Sequence, residues 1–286
     1  MSVNDEFILN QNSFNHPIYL PYKNWIEIAI KHFQPNQTSA ELFNLLINNS
    51  PNKYTNSNKQ KLLFINQPKN PQILKKFRKY YERYIEEDGQ IPTRDKNWHD
   101  FFNAICWLNF PNIKKTISTL HYRELIRKGF TNKEFRGSQR DFLTLFDEGG
   151  SIIAINRQEK IDFELLIKNH DWIKTFWQYR EQLIADTRLI IIGHALLDKA
   201  RQPFCGITAK TLFVYVDEKL LENIRKLIKY LDEHISNYLL QQDTNLNPSL
   251  LTPLPIFGYP NWDIENNKLS FYQNTEIFRP QTFRLR

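Results

Sequence analysis

The stretch NWHDFFNAICWLNFP, residues 97–111, constrains this chain more than any other. Laid on a helix, Trp98, Phe102 and Ile105 form one strip, and Phe101, Ala104 and Leu108 form a second. Apolar side chains then nearly encircle the axis, and such a helix must be buried. A body large enough to surround it is available. The chain has 286 residues, 41% hydrophobic and 14% aromatic, which excludes wholesale disorder. Into this helix the sequence places His99, Asp100 and Asn103. Burying such groups without partners costs roughly 2–7 kcal/mol each, so they either close an internal hydrogen-bond network or line a pocket. His99 and Asn103 are four apart and share a face, with Cys106 a turn further on. Asp100 sits where the helix dipole favours an early carboxylate.

Other segments carry equally local signals. TSAELFNLLINN opens with Thr38 and has Glu41 three residues later, a capping box ahead of a short helix. KLLFI, 61–65, predicts a buried strand, and ILKKFRKYYERYIEEDG a helix with Phe77, Tyr80, Tyr81 and Tyr84 on one face. TISTLHYRELIRKGF predicts a further amphipathic helix. DFLTLFDEGGSIIAI, 141–155, reads as two strands joined at Gly149 and Gly150, a β-hairpin. TRLIIIGHALLDK predicts a buried strand, a tight turn at Gly193 and a helix starting near His194. TLFVYV is strand-like, DEKLLENIRKLIKYLDEHISNYLLQQ is a long amphipathic helix, and the proline-bearing last forty residues predict an irregular wrap. The sum is an α+β fold: a helix-rich single domain with a small mixed or antiparallel sheet. Residues 1–70 are expected to form an N-terminal helical extension packed on a main α+β domain over 71–286.

Composition narrows the function classes. The formal charge is +7, with 38 basic and 31 acidic residues, which favours anionic partners such as nucleic acid or phosphorylated metabolites. Cys106 and Cys205 form no CxxC pairing and sit among apolar neighbours, as buried thiols in a reducing compartment do. The N-terminus MSVNDEFILN has no basic region followed by an apolar stretch, and the longest aliphatic run, LIIIG, is far short of a membrane span. A cytoplasmic protein without membrane association is expected.

Chemistry-bearing residues fall in a few motifs. FRGSQRDF holds Arg136, Arg140 and Asp141, where guanidinium forks suit an anionic substrate or an internal Arg–Asp brace. TLFDEGG places Asp147 and Glu148 beside a glycine turn. In IIIGHALLDK, His194 near a helix N-terminus is held neutral, as a general base or metal ligand must be, with Asp198 four residues on to balance it. Lys199 adds a cation. His99, Asp100 and His194 are also the candidate ligands for a divalent metal. HExxH, GxSxG, Walker and GxGxxG signatures do not occur.

EEDGQIPTRDKNWHDFFNAICWLNFP, RGSQRDFLTLFDEGG, GHALLDK, GITAK and FYQNTEIFRP, taken in this order, resemble the bacterial domain-of-unknown-function 3025 family. The likeness covers residues 80–280 and implies no activity. Its motifs contain His99, Asp100, Asn103, Arg136, Arg140, Asp141, Asp147, Glu148, His194 and Lys199. Gln273 and Asn274 depart from the acidic pair expected there.

Three functions fit these residues. The first is an enzyme, hydrolase or transferase, on an anionic substrate, phosphorylated compounds included. Its pocket would use His99, Asp100, Asn103, Asp147 and His194 for catalysis and Arg136, Arg140 and Lys199 for binding. The second is an RNA- or DNA-binding module using the basic surface and the helix at 74–84. The third is a non-catalytic structural or adaptor protein in which the polar motifs are internal braces.

Overall fold

The computed structural model describes residues 7–68, 80–129 and 137–281 and divides the chain into two compact units. The first comprises Met1–Asn15, Tyr22–Leu143 and Asp232–Leu246, and the second His16–Pro21, Thr144–Leu231 and Asn247–Arg286.

In the first unit, helix α1 spans Lys23–His32 and α2 spans Ser39–Asn48. The capping box forms as expected: the Glu41 N–H donates to Thr38 Oγ1 at 3.3 Å and the Thr38 N–H to Glu41 Oε2 at 2.8 Å. Strand β1, Leu63–Asn66, pairs in parallel with β2, Gln90–Thr93, and helix α3, Tyr81–Asp88, lies between them in sequence. The Asn44 side chain on α2 stands in for a further strand, accepting from the Phe64 N–H and donating to its carbonyl, both at 2.8 Å. The strand expected at 61–65 is thus present, with Leu62 and Phe64 buried and Leu63 exposed. Gly89 ends α3 at φ 66°, in the left-handed region where glycine carries no Cβ penalty. Of the basic aromatic helix read at 74–84, residues 74–79 lie outside the described residues.

Helix α4, Trp98–Asn109, is buried as its composition demands, and α5, Pro111–Arg127, follows immediately. Phe101 is fully buried, with ring centroids 5.9 Å from Phe7, 6.1 Å from Phe43 and 5.4 Å from Phe102. Helix α6 covers Ser138–Gly149, and the boundary between the units falls within it.

The second unit is built on a mixed four-stranded sheet in the order β4-β3-β5-β6. Strands β3, Gly150–Asn156, and β4, Thr187–Ile191, are antiparallel. Strand β5, Thr208–Val216, runs parallel to β3, and β6, Thr252–Pro255, antiparallel to β5. Every residue of β3 is buried, as a central strand covered on both faces requires. The helices here are α7, Phe163–Lys168, α8, Arg180–Asp186, α9, His194–Lys199, and α10, Glu218–Leu221. The long helix α11, Ile224–Gln242, runs from this unit into residues of the first, and α12, Leu269–Tyr272, sits in the C-terminal segment. On α11, Asp232 accepts from the N–H groups of Asn112 (3.1 Å) and Ile113 (2.9 Å) and so caps α5. Burial pushes its carboxyl up to about 6, against the pull of these donors.

With 56% of the described residues helical and 14% in strands, the class is helix-rich α+β with a small mixed sheet. The hairpin expected at 141–155 is not formed. Residues 141–149 are helical, with Phe142, Leu143 and Phe146 fully buried at spacings of one and four. The glycine pair closes a helix rather than turning a hairpin, and β3 finds its partners near residues 190 and 213 instead. Among the described residues, no helix is long and apolar enough to cross a membrane.

Candidate functional site

The second unit builds its polar centre on a turn. After β4, the N–H groups of Ile192 and Gly193 both donate to the Gly150 carbonyl, at 2.9 and 2.8 Å. Gly193 then caps α9 at φ −68°, so its backbone is ordinary and handedness does not require glycine. Space does. A Cβ there would lie 2.4 Å from the Glu148 carbonyl oxygen and 2.6 Å from the Gly150 nitrogen.

This close approach delivers His194, 5% exposed, against the end of α6. Its Nδ1–H donates to the Asp147 carbonyl at 2.7 Å, and the Asp147 carboxylate Oδ2 lies 3.7 Å from the same nitrogen. A carbonyl only accepts, so Nδ1 carries the proton, and in the neutral ring the lone pair is on Nε2. Asp198, the neighbour expected to balance His194, instead accepts from Arg201 at 3.3 Å. Lys199 ends α9 exposed, five residues from His194 and therefore on a different face. Glu148 contributes its backbone to the turn, and its side chain is exposed.

The first unit holds the polar residues of α4. Asp100 is committed to Arg94: its carboxylate accepts from the Arg94 N–H at 2.6 Å, from Nε at 3.1 Å and from Nη2 at 2.6 Å. The Asp100 N–H donates in turn to Asn97 Oδ1, the helix cap, at 3.1 Å. The arrangement braces the entry to α4 and supports the structural role. Asp100→Ala is expected to lower stability by about 2 kcal/mol, mostly from the lost backbone bond to a charged acceptor. The guanidinium adds little because the Arg94 side chain is 52% exposed. Denaturant unfolding with an unchanged slope would measure it; a loss below about 0.5 kcal/mol would remove the brace.

Asn103 donates from Nδ2 to Tyr81 Oη on α3 at 2.9 Å, and Cys106 Sγ lies 3.9 Å from Tyr22 Oη. His99 is half-buried on the same helix. Arg140 donates from Nε to Nδ1 of His121 at 3.4 Å, with Glu82 Oε1 4.0 Å from that nitrogen. A guanidinium only donates, so in this contact Nδ1 of His121 is the acceptor. Asp141, next to Arg140, is exposed, and Arg136 lies outside the described residues.

His121, Glu82 and Glu86 were not singled out by the sequence reading. His121 is 6% exposed, and Glu86 is fully buried, accepting from Ser57 Oγ at 2.5 Å and Thr119 Oγ1 at 3.2 Å. The signal that flags His99 also marks His121: four residues from buried Ile117, it is a polar group on an apolar stripe.

The sequence-read residues therefore fall into two sets. His99, Asp100, Asn103 and Arg140 belong to the first unit; Asp147, His194 and Lys199 belong to the second. Among the described residues, no group of three or more His, Cys, Asp or Glu is placed to hold a metal ion. Cys106 is buried and Cys205 partly so, and neither is in a disulfide.

A family model described as "Protein of unknown function (DUF3025)" matches residues 62–282. No curated protein and no solved structure matches the chain.

Proposed function

We propose that this chain, which belongs to the DUF3025 family, is an enzyme of hydrolase or transferase type in which His194 serves as general base toward an anionic substrate. The observation that carries the reading is the 2.7 Å bond from His194 Nδ1 to the Asp147 carbonyl. It fixes the ring orientation and leaves Nε2 as the basic nitrogen. On accepting a proton from water or a substrate hydroxyl, the ring becomes a cation. The Asp147 carboxylate, 3.7 Å away, then stabilises the charge that develops. The anionic substrate class is supported by the +7 charge of the chain. Cys106 and Cys205, neither of them in a disulfide, suit a reducing compartment, and we place the protein in the cytoplasm.

The test uses His194→Asn, whose side-chain N–H can still reach the Asp147 carbonyl but which has no ring nitrogen to accept a proton. The wild type is assayed on a panel of p-nitrophenyl phosphate, bis-p-nitrophenyl phosphate and p-nitrophenyl acetate. Turnover of a phosphorylated member is expected. It should fall by about 10²-fold or more in the variant, the usual contribution of a positioned base, while the thermal midpoint moves by only a few degrees. Equal turnover in both proteins, or no turnover of any member by the wild type, counts against the assignment.

A further inference from the structure

Residues His16–Pro21 belong to the second unit, although the residues on either side of them belong to the first. Ile18 and Tyr19, 1% and 2% exposed, anchor this short segment. The Tyr19 hydroxyl donates to the Leu197 carbonyl at 2.9 Å. Leu197 lies in α9, the helix that begins with His194. At the end of that helix the Arg201 N–H bonds to the Asp198 carbonyl, so Leu197 lacks its usual helical donor and Tyr19 supplies one. Burial raises the Tyr19 hydroxyl well above the ordinary phenol range, so it remains a donor throughout neutral and acidic pH.

The other anchor is titratable. His16 donates from Nε2 to the Trp262 carbonyl at 2.7 Å, while Nδ1 accepts the Ile18 N–H at 3.1 Å. Both ring nitrogens are satisfied only in the neutral form. A second proton, on Nδ1, would point at the Ile18 N–H and cancel that bond. The Phe257 and Trp262 rings, with centroids 5.4 and 5.9 Å away, cover the imidazole. The charged group facing it is Asp263, which favours protonation, as does the Trp262 carbonyl. Burial outweighs both and holds the His16 pKa below its ordinary 6.5.

We propose that residues 16–21 form an acid-released strap: protonation of His16 expels the Ile18 N–H, loosens the segment from the second unit and withdraws the Tyr19 cap from α9. The sign follows from linkage. A histidine whose pKa is lower folded than unfolded leaves stability intact above about 6.5. Stability is then lost as pH falls from there to the depressed folded value, by at most about tenfold in the local equilibrium per pH unit. Only the bearing on His194 rests on the proposed function; the strap itself does not.

Hydrogen exchange on the full chain between pH 7.5 and 5.0, corrected for intrinsic rates and read without substrate, tests the strap. Peptides covering 16–22 and 194–200 of the wild type should lose protection together below pH 6.5. His16→Asn should keep its protection, because an Asn side chain accepts the same N–H two residues on and does not titrate. Wild-type protection that stays flat, or an equal loss in His16→Asn, overturns the strap. Loss at 16–22 with 194–200 unchanged overturns its coupling to α9. Should the variant fail to fold, NMR titration of the His16 ring in the wild type decides, and an apparent pKa at or above 6.5 overturns the proposal. Because exchange is read without turnover, failure here is separate from failure of His194 as base.

Discussion

Gly193→Ala is expected to destabilise the protein by about 3 kcal/mol or more, the upper end of overpacking, because the added methyl meets backbone rather than a side chain that could rotate away. Its Cβ would stand 2.4 Å from the Glu148 carbonyl oxygen and 2.6 Å from both the Glu148 carbonyl carbon and the Gly150 nitrogen. Relief requires the end of α6 to part from the turn before α9. That parting would lengthen the His194–Asp147 bond, so the activity proposed for His194 should fall along with stability. Gly149→Ala is the matched control: nothing lies within 4 Å of its Cβ, and the change should stay within about 0.5 kcal/mol. Thermal and denaturant unfolding of the two variants side by side would measure the contrast, and equal midpoints would show that the close approach carries no weight.

Phe101→Ala should cost about 3–5 kcal/mol, the range for emptying a fully buried aromatic site. The loss is placed high because the neighbours are themselves large rings: Phe7, Phe14, Phe43, Trp98 and Phe102 all lie with centroids near the Phe101 ring. Five rings wedged in edge-on and tilted arrangements collapse poorly into a void. Asn103→Ala on the same helix removes one hydrogen bond, to Tyr81, and should cost only about 1 kcal/mol. Denaturant midpoints that fail to separate these two variants would contradict the burial assigned to α4.

Much of the fold was legible because its signals are local. The Thr38–Glu41 box, the all-round apolar helix at 98–109 and the strand–glycine–helix passage into His194 are each written within about a dozen residues. Their periodicity or capping chemistry leaves little choice. The 141–155 segment misled because a glycine pair means a turn in one context and close packing in another. Gly150 is small because a Cβ would lie 2.2 Å from the Phe146 carbonyl, a contact that exists only once α6 and β3 are joined as a helix and a strand.

The polar partners were far less legible. His194 and Asp198 are neighbours in sequence, yet the imidazole is held by Asp147, 47 residues earlier. Asp100 proved to belong to nearby Arg94, whereas Arg140 reached His121 across 19 residues and Asp232 reached Asn112 across 120. The sequence alone determined the α+β class and most of its local elements, the segment 141–149 excepted, and that α4 must be buried, since hydrophobic spacing is a property of consecutive residues. Only the tertiary structure decided which donor meets which acceptor. A buried polar group must find a partner, but any of several partners satisfies that requirement equally, and packing between distant elements makes the choice.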